Sequence, residues 1–286
     1  MNEAANTFEL PELTGRYVYC VAGGELDAPA AEGLDGCPIR AVSAAGFTAF
    51  LHDCPPAPYH GDDDQVASWV VAHGEVVDAV WEKSDPILPL AFDTIIRAED
   101  GTDPDDQVRR WLEAEKNRFG ALVESLRGKV ELGVQVFWIS AAMAKLVADG
   151  DEQICRLREE MAGKPKGMAY FYQQKIERAL RLALEIRADA DYRLHFRKIV
   201  EICPEVRVNP LRKSPDRQMI LNLSVLAPRG RVSELGNVVA GFQTDGTAAR
   251  FTGPWPPYSF VRPGPQPSPR DGDPAVTASR APERSS

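Results

Sequence analysis

The chain has 286 residues, of which 44% are hydrophobic and 26% charged, a composition typical of a globular protein long enough for two domains. Its formal net charge of −9 argues against nucleic acid and anionic membrane surfaces as partners, because both are bound through basic residues. The five scattered cysteines, without a Cys-x-x-Cys pair, predict reduced thiols rather than disulfides or a zinc site.

The beginning of the chain predicts a tail followed by three strands. Residues 1–14 are polar and acidic rather than signal-like, and no apolar run approaches the roughly 20 residues that span a bilayer, so we expect a flexible tail and a cytoplasmic protein. Alternating residues predict a strand from Arg16. The segments 39–43 and 47–51 predict a hairpin around the turn 44–46.

Two amphipathic helices are predicted to cover these strands. Each follows a group of carboxylates, 62–64 and 103–106, which we interpret as helix caps rather than a site for divalent ions. Between the helices, the short and wholly apolar segment 87–92 is typical of a central strand. Residues 15–127 are therefore expected to form an α+β domain with a small mixed sheet and covering helices.

A second domain is predicted over residues 128–262. Strand patterns and helix patterns follow one another as β-α-β-β-α-β, the ferredoxin-like order. The predicted strands are 129–138, 205–208, 219–226 and 248–252. The helical region 140–203 has breaks at Gly150 and at 163–165. Beyond the second domain, residues 263–286 are rich in Pro, Ser, Arg and Asp, and we expect a disordered tail.

The last helix of that region, from about 167 to 202, would be roughly 50 Å long and too long for so small a sheet. We therefore predict a long helical hairpin in which the preceding helix folds back alongside this one. The apolar surface of the hairpin has two possible roles, packing within the chain or binding a partner. The predicted apolar stripe is Tyr172, Ile176, Ala179, Ala183, Ile186, Ala190 and Leu194. Basic residues on this helix, among them Arg178 and Arg181, predict either a solvated face or a patch for an acidic partner.

Few residues are candidates for chemistry. His52, Cys54 and His60 surround a proline-rich loop, but their spacing matches no standard metal site. His73 lies on an apolar helix face and is interpreted as a core histidine, whereas His195 is expected on an exposed face. Phosphate-loop, nucleophile-elbow and His-Glu-x-x-His motifs are missing from the sequence. We predict no catalytic residue, no cofactor, no metal site and no enzyme.

Residues 253–261, Gly-Pro-Trp-Pro-Pro-Tyr-Ser-Phe-Val, are the strongest candidate for an interaction site. Three prolines restrict the backbone, which predicts an extended segment with Tyr258 and Phe260 on one side. Two interpretations remain open: a closing strand packed on its own domain, or a rigid aromatic anchor for another protein. The candidate interaction residues are Trp255, Pro256, Pro257, Tyr258 and Phe260, with Tyr172, Arg178 and Arg181 on the long helix.

The same segment resembles the C-terminal ending of the gas vesicle protein F/L family. Four other stretches resemble family segments, so the likeness covers roughly residues 16 to 261. They are Arg16 to Ala22, Asp85 to Thr94, Gly128 to Trp138, and Gly167 to Tyr170 with Lys175 and Arg178. At one point the chain departs from the family: it has Phe92-Asp93-Thr94 where Phe-Gly-Thr is usual, so Asp93 must make a turn that glycine makes elsewhere.

The resemblance implies an accessory structural or assembly protein of the gas vesicle. Such a protein would contact the major shell protein and other accessory proteins and support shell formation, in the gas vesicle and the cytoplasm. The alternative is a small-ligand-binding or enzymatic ferredoxin-like protein, because a fold does not determine a function. An RNA-binding role is disfavoured, since the basic and aromatic sheet motif is missing.

Overall fold

The computed structural model describes residues 13–99, 101–212 and 214–261. The predicted tails lie outside the described residues, apart from Leu13 and Thr14. The chain forms two compact units, one from the described parts of Met1–Lys129 and Pro256–Arg262 and the other from Val130–Trp255. The final segment 256–262, which we predicted in the second domain, thus belongs to the first unit.

The first unit is built on one sheet between two helices. Its elements are β1 (Gly15–Gly23), β2 (Arg40–Ala44), β3 (Phe47–Cys54), α1 (Asp63–Trp81), β4 (Ile87–Pro89), β5 (Ile95–Arg97) and α2 (Pro104–Leu126). The strand order is β2-β3-β1-β4, with β5 also paired to β1. Every pairing described in it is antiparallel, so the predicted mixed sheet is wrong. Neighbouring strands here are joined by turns or returning segments rather than parallel crossovers.

The predicted central strand 87–92 lies at an edge of the sheet. β4 pairs with Cys20–Ala22 of β1, and β5, which we did not predict, pairs with Gly15–Tyr17. Together they form one interrupted edge with a turn at 90–94. Ile87 and Leu88 are fully buried because α1, α2 and the C-terminal segment contact this edge, so its apolar composition does not indicate a central position.

The predicted hairpin of β2 and β3 is confirmed. Its turn is the dipeptide Ala45-Gly46, and both residues have positive φ, 56° and 81°. Two-residue turns of this kind match the twist of the flanking strands, and Gly46 adopts the conformation without steric cost. β1 is buried over almost its whole length, with Tyr17 and Tyr19 facing α1 and Arg16 facing α2.

The second unit contains a four-stranded sheet in the order β7-β8-β6-β9. Its elements are β6 (Lys129–Ile139), α3 (Ser140–Gly150), α4 (Glu152–Ala162), α5 (Lys166–Ile202), β7 (Val206–Val208), β8 (Arg217–Pro228), α6 (Val232–Ala240) and β9 (Thr247–Trp255). Helix breaks fall at Gly150–Asp151 and 163–165, as predicted. β9 continues three residues beyond the predicted strand, to Trp255. None of the helices among the described residues is both long and apolar enough to cross a membrane.

α5 has 37 residues, about 55 Å at 1.5 Å per residue, and α4 packs along it. The predicted apolar stripe is correct only in the first half, where Tyr172, Ile176 and Ala179 are half-buried. In the second half Ile186 and Leu194 are exposed, whereas other positions are fully buried. These are Tyr192, His195, Phe196 and Ile199. The buried face changes along the helix because α5 has several different neighbours: α3, α4, β8 and α6.

An ion-pair cluster holds α2 to the sheet of the first unit. Arg16 Nε donates to Asp105 Oδ1 over 2.6 Å, and Arg40 Nη1 donates to Asp105 Oδ2 over 2.8 Å. Asp53 completes the cluster through both arginines. Hydrogen bonds from Arg40 and Arg16 hold the pKa of Asp105 well below its usual range. Arg16 is buried and also donates through Nη1 to the carbonyls of Leu13 and Gly15, but Asp105 and Asp53 are the carboxylates that balance its charge.

We expect Asp105→Asn to lower the free energy of unfolding by about 2 kcal/mol, because it removes the charge that Arg16 and Arg40 share in a partly buried site. Asp106→Asn is the matched control. Asp106 lies in the same first turn of α2 but pairs only with exposed Arg109, so about 0.5 kcal/mol or less is expected. Urea unfolding followed by circular dichroism measures the free energy of unfolding of both variants. Equal losses would show that the ion-pair cluster contributes no more to stability than an exposed ion pair.

Candidate functional site

The C-terminal segment is divided between an exposed and a packed part. Trp255 ends β9 opposite Glu131 and is 50% exposed. Pro256 and Pro257 are buried, and the helical turn α7 (Tyr258–Val261) follows them. Tyr258 N–H donates to the Pro256 carbonyl over 2.8 Å. The predicted extended conformation is therefore wrong beyond Pro257, because the fixed φ of proline also suits the first turn of a helix.

The α7 turn packs on the first unit. The ring of Tyr258 lies 6.5 Å from that of His73, between centroids, and Tyr258 packs against the core cluster of that unit. Val261 is buried, and its carbonyl accepts from Arg118 Nη1 over 3.5 Å. Phe260 is half-buried. The interpretation of a segment packed on its own chain thus fits residues 256–261, and Trp255 alone of the five candidates there is strongly exposed.

The other predicted interaction residues lie on α5 in the second unit. Arg178 and Arg181 are exposed, and Tyr172 is half-buried. Nearby, Tyr170 and Phe171 are 68% and 56% exposed and were not among the predicted interaction residues. A signal for them existed, since two aromatics at adjacent helical positions cannot both face α4.

A buried network of tyrosines and histidines occupies the space between β1 and α1. Tyr17 Oη lies 2.9 Å from His73 Nδ1, and Tyr19 Oη lies 2.8 Å from His52 Nδ1. His52 Nε2 in turn lies 2.8 Å from Tyr59 Oη. This network was not predicted from the sequence, although Tyr17 and Tyr19, two residues apart on one strand, had to share a face.

Hydrogen bonds from backbone groups indicate where the hydrogens of the tyrosine hydroxyls and histidine rings lie. Tyr17 Oη and Tyr19 Oη accept from the N–H groups of Asp93 and Leu34, so each hydroxyl hydrogen is free to point at a histidine Nδ1. His73 Nε2–H then donates to the Leu90 carbonyl over 3.2 Å. We therefore assign both histidines as neutral with the proton on Nε2, the tautomer that lets each Nδ1 accept from its tyrosine. Burial lowers the pKa of His52 and of His73 to about 4 and raises that of both tyrosines.

Asp93, where the sequence departs from its resemblance to the family, makes the expected turn. Its φ of 64° lies in the left-handed region, which Asp tolerates better than most residues. Asp93 Oδ1 accepts from Tyr59 N–H over 3.1 Å. The side chain thus links the turn to the loop that carries Tyr59, a contact that glycine could not make.

His52, Cys54 and His60, the residues considered as metal ligands, do not form a metal site in the described structure. Both ring nitrogens of His52 are bonded to tyrosines, Cys54 is buried and His60 is exposed. Within the described ranges, no group of three or more His, Cys, Asp or Glu could hold a metal ion. His195, expected on an exposed face, is buried with its ring centroid 4.3 Å from that of Phe242, because the loop after α6 covers it.

The acidic groups cap helices as predicted, but only through one residue each. Asp62 accepts from Gln65 N–H over 2.9 Å at the start of α1. Asp103 accepts from Asp105 N–H over 2.8 Å at the start of α2. Asp105 and Asp106 bind arginines instead, because a single side chain satisfies the terminal N–H groups.

Comparison with known proteins gives relatives over most of the chain. Residues 15–262 match the family described as gas vesicle synthesis protein GvpL/GvpF. The chain is 30% identical to gas vesicle protein L1 of Halobacterium salinarum over 258 residues, covering 86% of this chain and 90% of that protein. Gas vesicle protein L2 of the same organism is also 30% identical, over 86% of this chain and 91% of its own.

Solved structures show the same fold. The crystal structure of the gas vesicle protein GvpF from Anabaena sp. PCC7120 matches with a TM-score of 0.68 and 20% identity, covering 87% of this chain and 98% of that one. That of GvpF from Microcystis aeruginosa matches with a TM-score of 0.62 and 18% identity, over 87% and 99%. The α+β arrangement with two antiparallel sheets is therefore shared with these proteins.

We expect acid to destabilise the first unit through His52 and His73. Both have folded pKa values below the ordinary value of 6.5, so the unfolded chain binds protons that the folded chain excludes. Their contribution to stability is complete above about pH 6.5 and is lost as the pH falls toward 4. Each histidine steepens the loss by up to about 1.4 kcal/mol per pH unit.

Urea unfolding from pH 7 to pH 4.5 measures this slope. His52→Gln and His73→Gln should each flatten it, whereas His60→Gln, at an exposed site in the neighbouring loop, is the matched control and should leave it unchanged. A slope that the two buried substitutions do not alter would contradict the assignment of neutral histidines.

Proposed function

The chain belongs to the gas vesicle synthesis protein GvpL/GvpF family and so has a role in gas vesicles, and on that premise we propose that it is an accessory structural and assembly protein of the vesicle. In this proposal it contacts the major shell protein and other accessory proteins, keeps the shell protein from aggregating, and supports formation of the shell. It works in the cytoplasm and at the gas vesicle.

The observation that carries the proposal is the exposed apolar surface of α5. None of its described residues from 167 to 191 is fully buried, although α4 packs alongside. Met168, Phe171, Leu182 and Ile186 are between 49% and 64% exposed. A helix that presents several large apolar side chains to solvent is typical of a protein-binding element, since exposed apolar residues usually occur singly.

Trp255 supplies a second candidate contact. It is half exposed at the end of an edge strand, next to prolines that limit its backbone motion. A rigid aromatic side chain loses little conformational entropy on binding and buries a large area. Tyr258 and Phe260 do not share this exposure, so we assign the interaction at this end of the chain to Trp255 alone.

A function in binding rather than catalysis is consistent with the titratable groups. His52 and His73 have both ring nitrogens bonded within the protein, so neither offers a free nitrogen to a substrate. We further propose that the second unit is a ferredoxin-like domain with an enlarged helical hairpin. Its order of strands and helices and its sheet order β7-β8-β6-β9 support this assignment.

Co-expression with the major shell protein tests the proposed function. We expect the soluble fraction of the shell protein to rise severalfold when this chain is present. The control is co-expression with an unrelated protein of similar size and charge. Equal solubility in both would refute the assembly role.

Separate substitutions distinguish the anchor from the packed segment. Trp255→Ala should weaken binding of the shell protein in a pull-down without changing the unfolding midpoint, because the side chain is half exposed. Tyr258→Ala should instead lower the free energy of unfolding by about 2 kcal/mol, because it leaves a gap against the core of the first unit. Unchanged binding of the Trp255→Ala protein would remove this residue from the interface.

A further inference from the structure

One side of α5 carries an exposed stripe that is apolar at both ends and basic at its centre. Its members recur every three or four residues, so they lie on one side of the helix. They are Met168, Phe171, Lys175, Arg178, Leu182 and Ile186, all of them exposed. We call this stripe the seam. From its first to its last residue it extends about 27 Å, or five turns of helix.

The seam is separate from the side of α5 that packs within the unit. The half-buried residues Tyr172, Ile176 and Ala179 occupy neighbouring positions on the helix but point to another side, about a quarter of a turn away. α4 contacts α5, yet the seam residues stay exposed. The intramolecular hairpin therefore leaves the seam available.

The basic centre of the seam has no ion pair within the part of the chain that the structure describes. Arg187 and Arg193, later on the same helix, are ion-paired with Asp191 and Asp189 over 2.8 and 2.9 Å. By contrast, neither Lys175 nor Arg178 forms an ion pair with any carboxylate that the structure describes. Lys175 Nζ instead lies 4.4 Å from the centroid of the Phe171 ring. Among the described residues, these two cations thus have no ion-pair partner in the middle of the stripe.

We propose that the seam binds an amphipathic helix of another protein, about five turns long, whose apolar stripe carries two carboxylates at its centre. The apolar ends of the two helices would pack together, and the carboxylates would meet Lys175 and Arg178. This inference rests on the proposed function only for the origin of the helix, a protein of the gas vesicle. The chemistry of the partner follows from the seam itself.

Charge argues against a second copy of the chain as the occupant. If two seams met in parallel, Lys175 would face Lys175 and Arg178 would face Arg178. If they met antiparallel with their apolar ends matched, Lys175 would face Arg178. Like charges would face each other in both orientations, which is unfavourable. Self-association through the seam is therefore disfavoured, and an acidic partner is favoured.

Fluorescence anisotropy with synthetic peptides tests the proposal on the full chain. The probe is a labelled 19-residue amphipathic helix with leucines along one stripe and glutamates at its two central stripe positions; the matched peptide has lysines there. We expect the acidic peptide to bind at least about tenfold more tightly than the basic one. Lys175→Glu with Arg178→Glu should reverse this preference.

The control variant is Arg110→Glu with Lys116→Glu, which changes net charge equally at exposed positions of α2. It should retain the wild-type preference. Equal binding of both peptides, or a preference that the seam variant does not reverse, would overturn the proposal. Binding to phosphatidylserine vesicles but not to the acidic peptide would overturn it in favour of a membrane surface.

Co-expression separates this inference from the proposed function. If the chain solubilises the shell protein but shows no peptide preference, the proposed binding role of the seam is refuted and the proposed assembly function is retained. If the peptide preference is present and reverses as expected but no solubilisation occurs, the seam stands and the assembly role falls. Circular dichroism of each variant verifies that exposed charge reversals leave the fold intact.

Discussion

The first unit depends on β1 being covered on both faces. Each side chain of a strand points opposite to its neighbours, so a doubly covered strand must serve two different environments in alternation. Tyr17 and Tyr19 face α1 and meet buried histidines, while Arg16 faces α2 and meets Asp105. A shift of one residue in the pairing of β1 would exchange these environments and bury Arg16 without its carboxylates. The pairing of β1 with β3, β4 and β5 therefore fixes both helices.

In the second unit the long helix has two parts with different roles. Its second half is held by fully buried residues such as Phe196 and Ile199, which account for its stability. Its first half has no fully buried residue among those described, and α4 packs along α5 through half-buried contacts. The buried half supports the exposed half, so apolar and basic side chains stand in solvent at little cost to the fold.

Much of this fold follows from local sequence rules. The caps at Asp62 and Asp103, the Ala45-Gly46 turn and the helix breaks at Gly150 and 163–165 all depend on neighbouring residues, and they were predicted. The errors arose where distant contacts decide. Segment 87–92 is apolar because helices cover a sheet edge, and His195 is buried because a loop from elsewhere in the chain reaches it. The seam could be predicted only in part from the sequence. The helical pattern indicated its basic residues but not which face of α5 remains exposed beside α4.

The return of residues 256–261 to the first unit joins two segments that the whole second unit separates along the chain. On the ribosome residues 13–129 emerge before Tyr258 and Val261, so the core that these two side chains join stays incomplete until the second unit has also been synthesised. A message truncated anywhere in the second unit yields a product whose first unit lacks Tyr258 and Val261. Chaperones and proteases can recognise such a product, so synthesis of the second unit is a condition for completing the core of the first.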